Sequence, residues 1–171
     1  MRKIYFLALL GIILITCGSL QNNQFHKSDV MTTVSSTDEE MNAAIKKAQE
    51  TLPLFIEALQ APKVSQTHFC IKAKFHYGDG NIEHIWVSDL SYSGDQFEGV
   101  ISNEPVYIKD LHLFNHVTVE KQDISDWLII ENDILLGGFT IHVLRNRMTD
   151  EERKRFDSGL EYAIPDEPAI P

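Results

Sequence analysis

The chain has few cysteines, no excess of positive charge and no apolar run long enough to span a membrane comfortably. Its 171 residues include two cysteines, which excludes a disulfide-rich scaffold and a zinc site built from cysteine alone. The 15 Lys and Arg against 25 Asp and Glu give a net charge of −10. This balance disfavours nucleic-acid binding, which needs a basic surface. The apolar run at residues 4–15 is shorter than the ~20 residues of a membrane span.

What is present at the N-terminus has the pattern of an export signal. Residues 1–3 form a basic start, the apolar run follows, and small residues come next. Leu14-Ile15-Thr16-Cys17 resembles the lipobox of bacterial lipoproteins, which implies lipid attachment at Cys17. We therefore predict a protein anchored on the periplasmic side of the envelope, with Gly18 favouring the outer membrane. A plain cleaved signal and an uncleaved anchor are the alternatives.

Composition divides the chain into four segments. The signal peptide covers residues 1–16, and a polar, flexible tether covers residues 17–37. A folded domain is predicted over residues 38–159. Residues 160–171 contain three prolines and form an extended tail.

Periodicity predicts a helix followed by a sheet. Thr37-Asp38-Glu39-Glu40 has the form of a capping box, and apolar residues then recur at spacings of three and four. Pro53 predicts a kink or two short helices. From Gln66 the period becomes two, which predicts a hairpin around residues 78–81 and further strands up to Leu136.

The end of the domain is more ambiguous. Residues 139–145 fit both a strand and a helix, and we favour the helix. Thr149-Asp150-Glu151-Glu152 is a second capping box that opens a helix ending near Gly159. The predicted fold is α+β: an N-terminal helix packed on a curved antiparallel sheet of about five strands, with a short C-terminal helix. A half-open barrel is the alternative form of the sheet.

Signatures of catalysis are scarce. The sequence has no Gly-rich phosphate loop, nucleophile elbow or His-Glu-x-x-His motif. His112 and His116 are four residues apart, a spacing that suits a metal site on a helix. The surrounding sequence, however, indicates a loop entering a strand. Scattered carboxylates at strand ends have the ordinary role of solvated or capping groups. We predict no catalytic residue, no metal, no cofactor, and a buried apolar role for Cys70.

Four ordered motifs carry a family resemblance. They are Glu83–Val87, Phe97–Pro105, Asp123–Trp127 and Gly137–Thr140. Together they resemble the YegJ-like proteins, the family called domain of unknown function 2314, over about residues 38–156. The resemblance implies a small bacterial α+β domain and brings no established activity. Phe114-Asn115-His116 replaces the Gly-Asp usual in that family before the fourth strand.

The motif residues suggest two kinds of role. Tryptophan beside polar groups is the usual composition of a binding hot spot, which makes five residues a candidate binding face: Glu83, Trp86, Asn103, Asp126 and Trp127. We favour an architectural role for the motif set, with this binding face as the alternative. Structural turns or bulges are predicted at Gly99, Pro105, Gly137 and Gly138.

These features favour a non-catalytic binding or accessory module held at the envelope. Its partner would be a protein or another envelope component, with the membrane contacted through a lipidated Cys17 and no nucleic acid involved. One alternative is an immunity-type protein that neutralises a toxin, since a small acidic domain suits a basic partner. The other is a small hydrolase using carboxylates or histidines.

Overall fold

The computed structural model describes residues 5–9, 31–35 and 38–171. Most of the predicted signal peptide and tether, including Cys17, lies outside the described residues. The elements in chain order are β1 (Tyr5–Leu9), β2 (Met31–Ser35), α1 (Glu39–Gln60), β3 (Gln66–Tyr77), β4 (Asn81–Ser93), β5 (Gln96–Ile101), β6 (His116–Glu120), β7 (Ile124–Glu131), β8 (Ile134–Gly137), α2 (Phe139–Asn146) and α3 (Asp150–Ser158).

Helix α1 is one continuous helix that begins at its own aspartate cap. The Asp38 carboxylate accepts a hydrogen bond from Met41 N at 3.0 Å, one residue after the cap predicted from sequence. The predicted cap, Thr37, lies outside the described residues. Pro53 lies inside α1 on its exposed side, so the alternative of two short helices is wrong. A proline there removes one backbone hydrogen bond without ending the helix.

Strands β3 to β8 form an open antiparallel sheet in the order β6-β5-β4-β3-β7-β8. The α+β fold is therefore confirmed, including the hairpin of β3 and β4 around residues 78–80. The sheet has six strands rather than about five, because β8 pairs with β7. Among the described strands β6 and β8 do not pair with each other, so the sheet does not close into a half-open barrel.

Strands β1 and β2 lie in the predicted signal peptide and tether. They pair antiparallel with each other, and β1 runs parallel to β4 where Ala8 stands opposite His84. By contrast, β3 pairs with β4 from Ile71 opposite Val87 to Tyr77 opposite Asn81. The central sheet is thus built from residues within 38–171, and the boundaries of signal peptide and tether stay predictions.

The sheet carries an apolar layer on each face, because successive side chains of a strand point to opposite sides. On one side, here called the α1 face, helix α1 packs against residues such as Ile71, Ile85 and Trp127. On the other side, the α2 face, Trp86 and Leu128 pack with α2, α3 and the C-terminal tail. Burial on both sides explains why residues 124–130 of β7 are apolar at both odd and even positions, apart from Ser125 and Asp126.

The C-terminal elements cover the α2 face and one edge of the sheet. Residues 139–146 are helical, as favoured from sequence, and α3 begins with the predicted capping box of Thr149 and Glu152. The tail is extended along β8, where Leu135 N donates to Ala163 O at 2.9 Å and Gly137 N to Ala169 O at 2.8 Å. In the part of the chain that is described, no helix is both long and apolar enough to cross a membrane.

Candidate functional site

The five residues of the predicted binding face are buried and lie on different sides of the sheet. Their exposed fractions are 1% for Glu83, 2% for Trp86, 6% for Asn103 and 0% for Asp126 and Trp127. Trp127 belongs to the layer under α1, whereas Trp86 belongs to the layer under α2. In this structure they therefore form no common exposed face. Each has instead a specific bonding role inside the fold.

Asp126 holds the start of helix α2. Its Oδ1 accepts hydrogen bonds from the backbone N–H groups of Trp127 at 2.9 Å and Phe139 at 3.1 Å. Its Oδ2 accepts from Thr140 N at 2.8 Å and Thr140 Oγ1 at 2.5 Å. The N-cap position itself is Gly138, which has no side chain to satisfy these donors. A strand carboxylate therefore supplies the cap that the helix lacks in its own sequence.

Lys72 is a buried cation beside this carboxylate. Its side chain lies on β3 opposite Asp126 on β7 and Trp86 on β4, and the residue is 2% exposed. Nζ is 5.4 Å from the centre of the Trp86 ring and 3.5 Å from Thr140 Oγ1. Burial lowers the pKa of Lys72 to about 8, while the negative charge of Asp126 acts in the opposite direction. Burial likewise raises the pKa of Asp126, and the hydrogen bonds from Thr140 oppose that shift.

His84 extends the polar cluster on this face. Its Nδ1 is 2.7 Å from Ser125 Oγ, and that hydroxyl donates to Lys72 O at 3.0 Å. Burial, followed by the positive charges of Lys72 and Lys74, holds the pKa of His84 well below its usual value. His84 is therefore a neutral imidazole at physiological pH. Ser125 stands where the pairing of β3 with β7 shifts register, which lets its hydroxyl reach the neighbouring backbone.

Glu83 anchors the loop between β5 and β6 from the α1 face. One carboxylate oxygen accepts from Val106 N at 2.6 Å, and the other accepts from Tyr107 N at 3.0 Å and Ile108 N at 3.3 Å. The rings of Tyr107 and Tyr77 stack with centres 5.2 Å apart. Three backbone donors on one carboxylate give this loop a fixed path over the sheet.

The side chains of Asn103 and Trp127 also form hydrogen bonds that connect separate elements. The side-chain oxygen of Asn103 accepts from Trp86 N at 2.7 Å, which satisfies the edge of β4 where β5 ends. Trp127 Nε1 donates to Ala48 O at 3.0 Å and Thr51 Oγ1 at 3.1 Å, so the indole fixes α1 to the sheet. The motif side chains thus connect secondary-structure elements that are distant in sequence.

Two glycines of the motifs permit close backbone approach. A Cβ on Gly99 would lie 2.5 Å from Ser88 O, opposite the register shift in the pairing of β4 with β5. Gly137 has φ +72°, and a Cβ there would overlap the backbone oxygen and ring of Trp127. Gly138, with φ +63°, begins α2, and Pro105 lies in the loop that Glu83 holds. Any side chain at Gly99 or Gly137 would push neighbouring strands apart.

Other predicted chemical groups are dispersed. His112 lies 3.7 Å from Glu104 in an exposed loop, while His116 is on β6. Within residues 38–171, no three His, Cys, Asp or Glu side chains converge as a metal site would require. Cys70 is a buried free thiol whose pKa burial raises to about 12. It therefore stays protonated and unreactive at physiological pH.

Sequence reasoning missed Lys72, Ser125 and Thr140. An alternating strand places Lys72 opposite the apolar face, which ordinarily means solvent. One signal was available: residues 124–130 of the neighbouring strand are apolar at both odd and even positions, apart from Ser125 and Asp126. A strand of that composition is covered on both faces, and its partner is then covered too.

On the sheet itself, an exposed polar surface lies on the outer side of β5 and β6. There Phe97 and Val119 face α1, and the alternate residues of both strands point away from it. We call this surface the wing face; its exposed residues, with one from β4, are Ser91, Gln96, Glu98, His116, Thr118 and Glu120.

Replacing Lys72 by methionine is expected to alter how stability depends on pH. Between pH 8 and 10.5 the unfolded chain carries the Lys72 proton and the folded chain does not. The wild type therefore gains stability relative to Lys72→Met as pH rises through this window, by about 3 kcal/mol. Urea unfolding of both proteins measures the difference, and the opposing titration of Cys70 cancels because both contain it. A difference that stays constant with pH would contradict the buried cation.

Comparisons with known proteins identify the family but no activity. Residues 38–162 match the family described as an uncharacterized protein conserved in bacteria, DUF2314. The chain is 32% identical over 160 residues to the uncharacterized protein YegJ of Escherichia coli, covering 94% of this chain and 99% of that protein.

A second relative is longer than this chain. The putative ankyrin repeat protein NMB1133/NMB1171 of Neisseria meningitidis is 35% identical over 141 residues, which cover 77% of this chain and 56% of that protein. The chain thus spans little more than half of the Neisseria relative. No solved structure gives a significant match. The family match over residues 38–162 and the YegJ match over nearly the whole length of both proteins place this chain in the DUF2314 family.

Proposed function

We propose that this protein is a lipid-anchored, non-catalytic module of the bacterial envelope that binds a protein partner through its wing face. One observation carries this proposal: the buried polar motif residues Glu83, Asn103 and Asp126 are committed to backbone groups inside the fold. Asp126 caps α2, and Glu83 fixes the loop after β5. Groups engaged in this way act on structure rather than on a substrate. The wing face offers a partner exposed polar side chains on two paired strands of the sheet.

The N-terminal pattern supports the anchor. A basic start, a short apolar run and the sequence Leu14-Ile15-Thr16-Cys17 are what export and lipid attachment require. Acyl chains would be the anchor because a chain of net charge −10 has no general attraction to anionic lipid headgroups.

The Neisseria relative supports a role in binding. Its name refers to ankyrin repeats, and repeats of that kind stack into extended concave binding surfaces. A domain of the same family joined to such a surface fits an accessory role in recognition better than a reaction of its own. For the present chain this inference extends no further than the class of function.

The charge of the wing face favours a basic partner. Glu98 and Glu120 are exposed on adjacent strands, with Asp89 exposed nearby on β4. Complementary charge accelerates association and selects the partner. An immunity-type protein that neutralises a basic toxin is a specific form of the same proposal, and this exposed acidic surface is the observation that favours it.

Glu98→Lys tests the proposal by reversing one charge at the centre of the wing face. The intact protein is extracted from native membranes in mild detergent and its co-purifying proteins are quantified. We expect a near-stoichiometric protein that is retained by the wild type and reduced at least about tenfold in Glu98→Lys, because an opposed charge pair becomes a like-charge pair.

Glu57→Lys is the matched control, since Glu57 is equally a surface glutamate but lies on α1. It makes the same change in net charge and should leave the co-purifying protein in place. Equal loss in both variants would indicate a general charge effect and count against the wing face. If the wild type is purified with no co-purifying protein, the protein partner is contradicted and the hydrolase alternative is favoured.

A further inference from the structure

Among the described residues, one edge of the six-stranded sheet β3 to β8 is covered and the other is open. At β8 the C-terminal tail occupies the free edge through the hydrogen bonds of Leu135 and Gly137. At the opposite end β6 pairs only with β5 among the described strands. An open edge presents unpaired N–H and C=O groups, which form a template for another strand.

The hydrogen bonds between β5 and β6 show which backbone N–H and C=O groups of β6 face the open edge. Ile101 N donates to Asn115 O at 3.0 Å, and Lys121 N donates to Asp95 O at 3.0 Å. Because inward-facing groups alternate along an antiparallel strand, those of Asn115, Lys121 and the two valines between them point to β5. The groups that point to the open edge therefore belong to His116, Thr118 and Glu120.

We propose that two copies of this chain pair through β6, antiparallel and centred on Thr118, to form one continuous sheet of twice the width. In this register Thr118 stands opposite the partner's Thr118, and His116 stands opposite the partner's Glu120. All three outward-facing residues then form hydrogen-bonded pairs, since each position is two residues from the next. Shifting the pairing by one residue would place inward-facing groups against outward-facing ones.

The side chains are complementary in the same register. His116 and Glu120 are exposed on the wing face. The paired edges would therefore hold two contacts between an imidazole and a carboxylate, one on each side of the two-fold axis. Glu120 also accepts from Gln96 at 2.6 Å through one carboxylate oxygen, and its second oxygen stays available. On the other side, half-buried Val117 would meet the buried Val119 of the second copy and extend the apolar layer under α1.

The pairing also fits the symmetry of a closed dimer. The same surface is used on both copies, which is how a two-fold interface is built. With β8 covered by the tail, the far end of the six-stranded sheet is not available for the same pairing. The charged residues that would keep this edge from pairing with foreign strands become partners in a pair of identical copies.

Thr118→Cys gives a direct test by crosslinking. The purified intact protein is treated with a short bismaleimide and separated on a denaturing gel. At the two-fold axis the two Cα atoms would be about 5.5 Å apart, so we expect a crosslinked dimer. Ser91→Cys is the control: it is exposed on the same face, but the two copies of β4 would lie about 24 Å apart. The wild type reports any crosslink through its own cysteines.

Charge reversal tests the register. His116→Glu would oppose two carboxylates at each pair and should raise the dimer dissociation constant about tenfold in sedimentation experiments. The double variant His116→Glu/Glu120→Lys restores opposite charges and should return the constant close to that of the wild type. Thr118→Pro removes an outward N–H that the monomer does not use, so it should give a folded monomer. A wild type that stays monomeric, with Thr118→Cys crosslinked no better than Ser91→Cys, would overturn the proposal.

Discussion

Replacing Asp126 by alanine is expected to lower the free energy of unfolding by about 3 to 5 kcal/mol, measured by urea denaturation of the purified protein. Two losses add together. The backbone donors of Phe139 and Thr140 lose their acceptor at the start of α2. Lys72 keeps its buried position without the neighbouring carboxylate, and an uncompensated buried charge is strongly unfavourable.

The control for this prediction is Asp123→Ala, which removes a half-buried aspartate three residues earlier, at the end of the short turn before β7. We expect a change within about 0.5 kcal/mol there. Asp126→Asn should cost less than Asp126→Ala because one oxygen can still accept. Adding Lys72→Met should recover part of that smaller loss, since it removes the unpaired charge. A loss below about 1 kcal/mol for Asp126→Ala would show that Asp126 does not hold α2.

Exchanging the N-terminal segment is expected to release the protein from membranes. With its own leader and Cys17, we expect the protein in the membrane fraction after a high-salt wash, because several acyl chains bind far more firmly than one. When residues 1–17 are replaced by a plain cleavable export signal, it should become soluble. The exchange removes β1, which pairs with β4 where Ala8 stands opposite His84, but the central sheet of β3 to β8 is built within residues 38–171.

Cys70→Ala in the native chain is the matched control. It removes the other cysteine, which is buried in the layer under α2, and should leave the protein in the membrane fraction. If the exchanged chain stayed with the membranes, the domain or its partner would supply the attachment. If the native chain were soluble, the lipid anchor would be wrong.

Local signals predicted the elements of this fold well. The spacing of apolar residues located α1, and the capping box of Thr149 and Glu152 located the start of α3. The change of period at Gln66 located the hairpin of β3 and β4, which the structure forms around residues 78–80. Each of these features is decided by residues within one or two turns, so a single sequence contains it.

The roles of the motif residues could not be predicted in the same way. Asp126 acts on a helix that starts 13 residues later, and Glu83 acts on a loop more than 20 residues away. Lys72 is buried because α2 covers a face that β3 alone would leave open. A binding hot spot and a buried structural cluster can both consist of tryptophan and carboxylate side chains. Only the placement of these side chains in the fold distinguishes the two.

The N-terminal peptide of protein extracted from bacterial membranes tests most directly whether this chain is a lipid-anchored envelope protein. Mass spectrometry of that peptide should show that residues 1–16 are absent and that Cys17 is the first residue, carrying the added mass of its acyl chains. A peptide that begins at Met1, or an unmodified Cys17, would contradict the lipid anchor and with it the envelope role proposed for the domain.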